Sequence, residues 1–340
     1  MGPDAPSVEI RDLAYSTAAV TPGALFFCVK GFRADGHAFA PDAVERGAVA
    51  LVCERRLDTG VPEVIVPDAR AAMGPAAARF YGDPTSRLQV VGITGTNGKT
   101  TTAYLVRAVL EAAGVRAGLL GTVASVVGGQ EEPVERTTPE AIDLQRLFRR
   151  MLDAGDGACV MEVSSHALSL GRAEGITFAV RVFTNLTQDH LDFHPTMEDY
   201  YLAKRRLFDG PGLAVVNADD GYGRRLAAEL GDGATTYGID APADFRAREV
   251  AFGAAGARFR CETPEGEAEV VTRLPGLFNV QNALAAMAAA RGLGLELEAV
   301  VRGLAGAARV PGRFEPVDEG QGFAVLVLSL IHISEPTRPY

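Results

Sequence analysis

The chain is 340 residues long, and at about 150 residues per domain this predicts two domains, or three small ones, each able to bury a core. Hydrophobic residues at 47% and charged residues at 22% exclude a disordered or fibrous chain. With 33 Lys and Arg against 43 Asp and Glu the net charge is −10, which excludes a global field that would attract nucleic acid or an anionic membrane; an anionic ligand needs a locally built site.

The first ten residues include acidic side chains and lack the apolar stretch of a signal peptide. From 8 to 81, short apolar runs alternate with turn residues. Ala24–Val29, Ala48–Cys53 and Val64–Val66 are expected as strands, and Ala69–Tyr81 as a helix. Gly82-Asp83-Pro84-Thr85-Ser86 has linker composition and divides a domain 1–86 from a domain 87–314. Beyond it, strand Leu88–Thr94 precedes a helix Thr101–Ala113 that Gly114 stops. Then come strand Val115–Leu120, helix Glu140–Ala154, strands Ala158–Glu162 and Ala179–Thr184, helix Met197–Phe208, strand Leu213–Val216 and helix Asp219–Leu230. Residues 244–274 change to short strands with Gly turns, and helices Val280–Arg291 and Glu296–Leu304 follow. Strand followed by helix, repeated, predicts an α/β fold: a mostly parallel sheet with helices on both faces. Cys28, Cys53, Cys159 and Cys261 lie far apart in apolar runs and are expected as reduced, buried thiols. The late apolar run Phe323–Ile333 is shorter than the roughly 20 residues a membrane span needs. A cytoplasmic protein is the expectation.

Gly95-Thr96-Asn97-Gly98-Lys99-Thr100-Thr101 lies between an expected strand and an expected helix, the context of a phosphate-binding loop. Glycines let backbone N–H groups approach phosphate oxygens, Lys99 neutralises β/γ charge and the Thr100 hydroxyl suits magnesium. The usual first glycine is Ile93 here, so Gly95 makes the turn. ATP binding follows. Glu162, in Met161-Glu162-Val163-Ser164-Ser165-His166, ends a strand where ligands of open α/β sheets bind, and it supplies a hard oxygen for magnesium. A second strand-end loop, Thr184-Asn185-Leu186-Thr187-Gln188-Asp189-His190-Leu191-Asp192-Phe193-His194, concentrates polar and ionisable groups.

Together these segments, with Thr137-Thr138-Pro139, Tyr201-Leu202-Ala203-Lys204 and the early Thr21-Pro22-Gly23-Ala24-Leu25-Phe26-Phe27 and Asp35-Gly36-His37, resemble the Mur ligase family over about residues 10–327. The resemblance implies an N-terminal uridine-nucleotide domain and a central ATP domain. It implies an ATP-dependent amide ligase of peptidoglycan precursor synthesis that adds a diamino acid to UDP-N-acetylmuramoyl-L-alanyl-D-glutamate through an acyl phosphate. ATP and two Mg2+ are the implied cofactors. Thr100 and Glu162 would hold one metal, and His190 with a carbamylated Lys204 (N6-carboxylysine) the other. Lys99, Glu162, His190 and Lys204 are the implied catalytic set; Gly95 to Thr101, Asn279, Asn282 and Arg313 the ATP contacts; Thr17, Arg33, Asp35, Thr137, Thr138, Ser164 and Arg172 the substrate contacts. Leu170 stands where other members carry Gln. His37, His166 and His194 are as well explained as structural hydrogen-bonding residues. A monomer, with no nucleic-acid or membrane partner, is expected.

The resemblance ends at Leu328. Phe323–Val327 reads as the first strand of a third Rossmann-like domain, left without its sheet, and 328–340 as foreign to the family. The expectation is nucleotide-sugar binding with negligible ligation, because one wall of the cleft is lacking. Another ligase of the superfamily, acting at the next step or on folate as folylpolyglutamate synthase does, and a non-catalytic nucleotide or muropeptide binder are the alternatives. Meso-diaminopimelate and L-lysine both remain open, with a lean to the former.

Overall fold

The computed structural model describes residues 8–31, 34–253, 256–308, 310–312, 315–317, 320 and 325–327. They divide into two units. One comprises the chain up to Pro84 with Glu140–Arg149 and Leu170–Ile176; the other comprises Thr85–Pro139, Arg150–Ser169 and the chain from Thr177 onward.

In the first unit, β1 (Asp12–Ala14), β2 (Ala24–Phe27), β3 (Ala48–Cys53) and β4 (Glu63–Ile65) form a four-stranded sheet in that order, every pair parallel. Helix α1 (Ala40–Glu45) makes the crossover from β2 to β3, and α2 (Ala69–Phe80) follows β4. Successive strand residues point to opposite faces. Phe26, Leu51 and Cys53 therefore join Ala40 and Ala43 of α1 in one cluster, while Phe27 and Val52 join Ala69, Met73 and Ala77 of α2 in another. Burial on both faces explains why these strands read as unbroken apolar runs. Asp68 caps α2 by accepting from the Arg70 and Ala71 amides.

Residues 140–149 and 170–176 also cluster with this unit. Ala141 and Ile142 pack into the α2 cluster and Tyr15 Oη donates to Asp143 Oδ2 (2.6 Å), while 170–176 is held by close backbone contact. A Cβ on Gly74 would lie 2.2 Å from the Glu174 carbonyl oxygen, and one on Gly175 would lie 2.6 Å from that of Gly74. Only glycines permit this approach.

The second unit is built on an eleven-stranded sheet. Its elements are β5 (Gln89–Thr94), α3 (Lys99–Ala112), β6 (Ala117–Leu120), β7 (Ser125–Val127), β8 (Gln130–Glu132), α4 (Ala141–Ala154, whose first part belongs to the first unit), β9 (Ala158–Glu162), α5 (Ser165–Ser169), β10 (Phe178–Phe183), α6 (Met197–Arg205), β11 (Leu213–Asn217), α7 (Gly221–Leu230), β12 (Ala234–Gly238), β13 (Phe245–Gly253), β14 (Gly256–Thr263), β15 (Gly266–Thr272), α8 (Leu277–Gly292) and α9 (Leu297–Gly306). The order is β15-β14-β13-β12-β11-β10-β5-β9-β6-β7-β8, parallel from β13 to β6 and antiparallel beyond. Val91 and Ile93 of β5 join the core shared with α3 and α8; the space beside Gly92, which points the other way, is taken by Phe178 and Leu207. Each fully buried Val or Leu here contributes about 1.5–3 kcal/mol.

The strand expected to lack a sheet has a partner. Val325–Val327 (β17) pairs antiparallel with Glu315–Val317 (β16), a strand that Pro316 hides from a propensity reading. The segment 328–340 lies outside the described residues. All four cysteines are buried and free. No helix among the described residues is long and apolar enough to cross a membrane.

Candidate active site

Strands β9, β5 and β10 are neighbours in the middle of the sheet, and the site grows from their carboxyl ends. After β5 the chain turns at Gly95 (φ +148°) and enters α3 through Gly98 (φ +86°). The loop rests on the segment after β10. Thr96 N donates to Asn185 O (2.9 Å) and Asn97 N to Asn185 Oδ1 (2.9 Å), while Asn185 Nδ2 donates to Asn97 O (3.1 Å). The Asn185 amide thus pairs with Asn97 as a neighbouring strand would. The Thr184 hydroxyl also donates to Asn97 O (2.6 Å). Lys99 Nζ donates to the carbonyls of Gly95 and Thr96, each at 2.8 Å.

Beside the loop, Glu162 is buried at the end of β9. Its Oε1 accepts from Thr100 Oγ1 (3.0 Å) and Thr122 N (2.8 Å), and its Oε2 from Thr122 Oγ1 (3.2 Å). Thr137 reaches the same cluster through Thr122, Oγ1 to Oγ1 at 3.0 Å. The Thr138 hydroxyl faces inward: it donates to Glu162 O (2.9 Å) and accepts from Ser164 N (3.1 Å). Ser164 Oγ accepts from Ala167 N and so opens α5.

Lys204, on α6, is not a solvated helix lysine. It is 1% exposed, its Nζ donates to Gly95 O (2.9 Å), and it lies 4.6 Å from the Tyr200 ring centroid. Burial first, then the Lys99 ammonium, hold its pKa well below the ordinary lysine value, with Asp189 opposing them. Two lysines thus converge on one carbonyl. His190 is partly exposed with φ +51°, and its ring meets His166 edge-on at 4.9 Å and Tyr200 at 6.1 Å. Tyr200 therefore borders both His190 and Lys204.

Thr100 and Glu162 offer adjacent hard oxygens and fit Mg2+. Among the described residues no three His, Cys, Asp or Glu side chains gather as a metal site. Lys204 as an ammonium does not fit a cation, whereas a carbamate on it does.

His194 is 3% exposed, stacks on Tyr200 at 5.0 Å and meets Ser165 Oγ at 2.9 Å through Nε2. Burial, followed by His166, Lys204 and His190, lowers its pKa from the ordinary 6.5. The unfolded chain takes up this proton before the folded one does. Stability attached to a neutral His194 is present above about pH 6.5 and declines as pH falls below it. Urea titrations from pH 7.5 to 5 should show a steeper loss for the parent than for His194→Gln; equal slopes would contradict this assignment.

A cavity of about 350 Å3 adjoins the phosphate loop, lined by Asn97, Gly98, Thr184, Asn185, Asn217, Tyr237, Phe278, Gln281 and Asn282. Asn282 accepts from Thr102 Oγ1 (3.3 Å) and donates to Asn279 Oδ1 (3.1 Å). Asn279 is 2% exposed and donates to Pro275 O (2.7 Å), so it braces Asn282 from behind and does not line the cavity. Asn217, Tyr237, Phe278 and Gln281 escape a sequence reading because they come from three separated elements. Phe278 and its neighbour Leu277 are exposed at the start of a helix whose later residues are mostly buried.

In the first unit, Arg172 NH2 meets Glu140 Oε1 (2.9 Å), whose Oε2 accepts from Arg70 (3.0 Å). Thr17 opens a short 3-10 turn. Asp35 accepts from His37 N (3.0 Å), His37 Nδ1 (2.6 Å) and Arg55 (3.1 Å), and these bonds hold its pKa well below the carboxylate range. His37 Nε2 accepts from Glu54 N (2.9 Å), so this histidine organises the loop. Arg33 and Arg313 lie outside the described residues.

The profile described as Mur ligase middle domain matches residues 93–290, and that described as Mur ligase family, catalytic domain, matches 9–81. The UDP-N-acetylmuramoyl-L-alanyl-D-glutamate–2,6-diaminopimelate ligase of Geobacillus thermodenitrificans is 48% identical over 328 residues, covering 94% of this chain and 67% of that protein. The ligase of the same name from Solibacter usitatus is 45% identical over 334 residues, 96% of this chain and 68% of that one. A solved structure of a ligase so named superposes with a TM-score of 0.82 at 30% identity, over 91% of this chain and 65% of the other. MurF of Thermotoga maritima, solved with ADP, shares the fold: TM-score 0.67, 21% identity, 95% of this chain and 72% of that one. The chain spans about two thirds of the length of these relatives.

Proposed function

The chain belongs to the Mur ligase family, and from this we propose that it serves the ATP-dependent joining of 2,6-diaminopimelate to UDP-N-acetylmuramoyl-L-alanyl-D-glutamate. The observation that carries the reading is the convergence of Lys99 and Lys204 on the Gly95 carbonyl, beside the buried Thr100–Glu162 pair. A phosphate loop alone serves many reactions. A desolvated second lysine next to it serves one that must gather extra anions and cations around a triphosphate.

The chemistry has two steps. The D-glutamyl side-chain carboxylate attacks the γ-phosphorus of ATP, and ADP leaves with the electrons of the broken P–O bond. An amine of diaminopimelate then adds to the acyl phosphate carbon, and phosphate leaves as the amide forms and the nitrogen loses a proton. Lys99 draws in the β/γ-phosphate charge, and the cavity with Phe278, Gln281 and Asn282 receives the base. Thr100 and Glu162 would hold one Mg2+, and His190 with Lys204 as a carbamate a second. These ions supply charge neutralisation where two anions meet. A neutral Lys204 amine adds to CO2, forming an N–C bond and releasing one proton, and so becomes an anion. Thr137, Ser164 and Arg172 are the proposed peptide-side contacts, and Thr17 and Asp35 the nucleotide-sugar side.

Calorimetry tests this. The chain should bind a non-hydrolysable ATP analogue only with Mg2+, and should prefer the UDP-muramoyl dipeptide to the tripeptide and to folate. Preference for either competitor overturns the reading.

A further inference from the structure

Thr122 matches no sequence signal, yet it joins two parts of the site. It lies in the turn after β6, closed by Gly121 N donating to Ala124 O (3.0 Å). Its N–H and its hydroxyl both address Glu162, at 2.8 and 3.2 Å, and the same hydroxyl is 3.0 Å from that of Thr137. Either hydroxyl could donate in the Thr122–Thr137 contact, and proton counting favours one direction. A carboxylate accepts only, and a hydroxyl has a single proton to give. Thr122 spends that proton on Glu162, so the Thr137 proton must point at Thr122. What Thr137 has left for a ligand is lone pairs.

The geometry points to Thr122 as a positioning residue: we infer that it couples Glu162, on the nucleotide side, to Thr137, on the peptide side, and presents Thr137 as an acceptor for a peptide N–H. The inference rests on the function proposed above. Neighbouring contacts leave the relay little slack. Thr138 is pinned between Glu162 O and Ser164 N, so the residue before it cannot swing away to find another partner. A Cβ on Gly121 would stand 2.5 Å from Glu162 Oε1, so the turn is pressed against the carboxylate. A metal-nucleotide drawing on Glu162 would weaken the carboxylate as an acceptor for Thr122, and the Thr137 hydroxyl would feel the change through the same bonds.

The experiment measures two dissociation constants by calorimetry, each with and without the other ligand: the Mg2+ complex of a non-hydrolysable ATP analogue, and the UDP-muramoyl dipeptide. Linkage requires the same ratio from either direction. The expected ratio is about fivefold or more in the parent. Thr122→Ser, which keeps the hydroxyl, should retain it. Thr122→Val, nearly isosteric, should bring it to one. Thr137→Ala, at a partly exposed position, should also bring it to one. A residue of merely structural importance would weaken both ligands and leave the ratio intact. A parent ratio of one, or a parental ratio in Thr122→Val or Thr137→Ala, overturns the inference. A parent that binds nucleotide and no dipeptide overturns the proposed function instead.

Discussion

Gly95→Ala is expected to abolish nucleotide binding, by more than about 100-fold, and to lower stability by about 2–4 kcal/mol. Two independent causes act at this residue. Its φ of +148° lies where side chains are rarely tolerated. A Cβ there would also stand 1.8 Å from Thr184 Oγ1 and 3.1 Å from the backbone N and O of Asn185. The hydroxyl cannot turn aside, because it is buried and donates to Asn97 O at 2.6 Å. Relief must therefore come from moving the loop, which carries Lys99. The double variant Gly95→Ala with Thr184→Ala separates the causes: it should recover part of the stability, as measured by urea titration, and little of the affinity. Binding within tenfold of the parent by Gly95→Ala would overturn this account of the loop.

Lys204→Met should behave in the opposite sense for stability. An amine that is 1% exposed is traded for an apolar group of similar length, and Lys99 still satisfies the Gly95 carbonyl. Stability is expected to hold or to rise by about 1 kcal/mol. Function is expected to fall. With 13C-labelled bicarbonate the parent should show a carbamate resonance that the variant lacks, and the weaker of two Mg2+ sites formed with nucleotide should lose at least tenfold in affinity. A parent without the resonance would leave Lys204 a plain buried amine. A destabilised Lys204→Met would mean that its bond to Gly95 outweighs its desolvation.

The strand, loop and helix around Gly95–Thr101 were legible because three independent local signals coincide there: apolar run, glycines with Lys99, and helical period. Glu162 was legible from its place at a strand end. Lys204 came only through resemblance, since nothing local distinguishes it from Arg205 one position on, which is paired on the surface with Glu229. Thr122 and Tyr200 were invisible because their roles are contacts across 15 to 104 positions of chain. Hydrogen bonds of that reach depend on strand order, and no periodicity encodes strand order. The same holds for 140–149 and 170–176, which distant contacts such as Tyr15 to Asp143 and the Gly74–Gly175 approach tie to the first unit.

The long helix α8 begins at the cavity beside the phosphate loop and then runs through buried surroundings as Ala283, Ala285, Ala286, Ala288, Ala289 and Ala290, broken by Leu284 and Met287. Alanine forfeits no rotamer freedom when buried and has the strongest intrinsic preference for the helix. Of the segments that frame the cavity, this one is ordered at the smallest entropic cost. The chain builds the least adaptable wall of its ligand site from the stretch most ready to be helical before any tertiary contact forms, and leaves the slower work of long-range pairing to β5, β9 and β10.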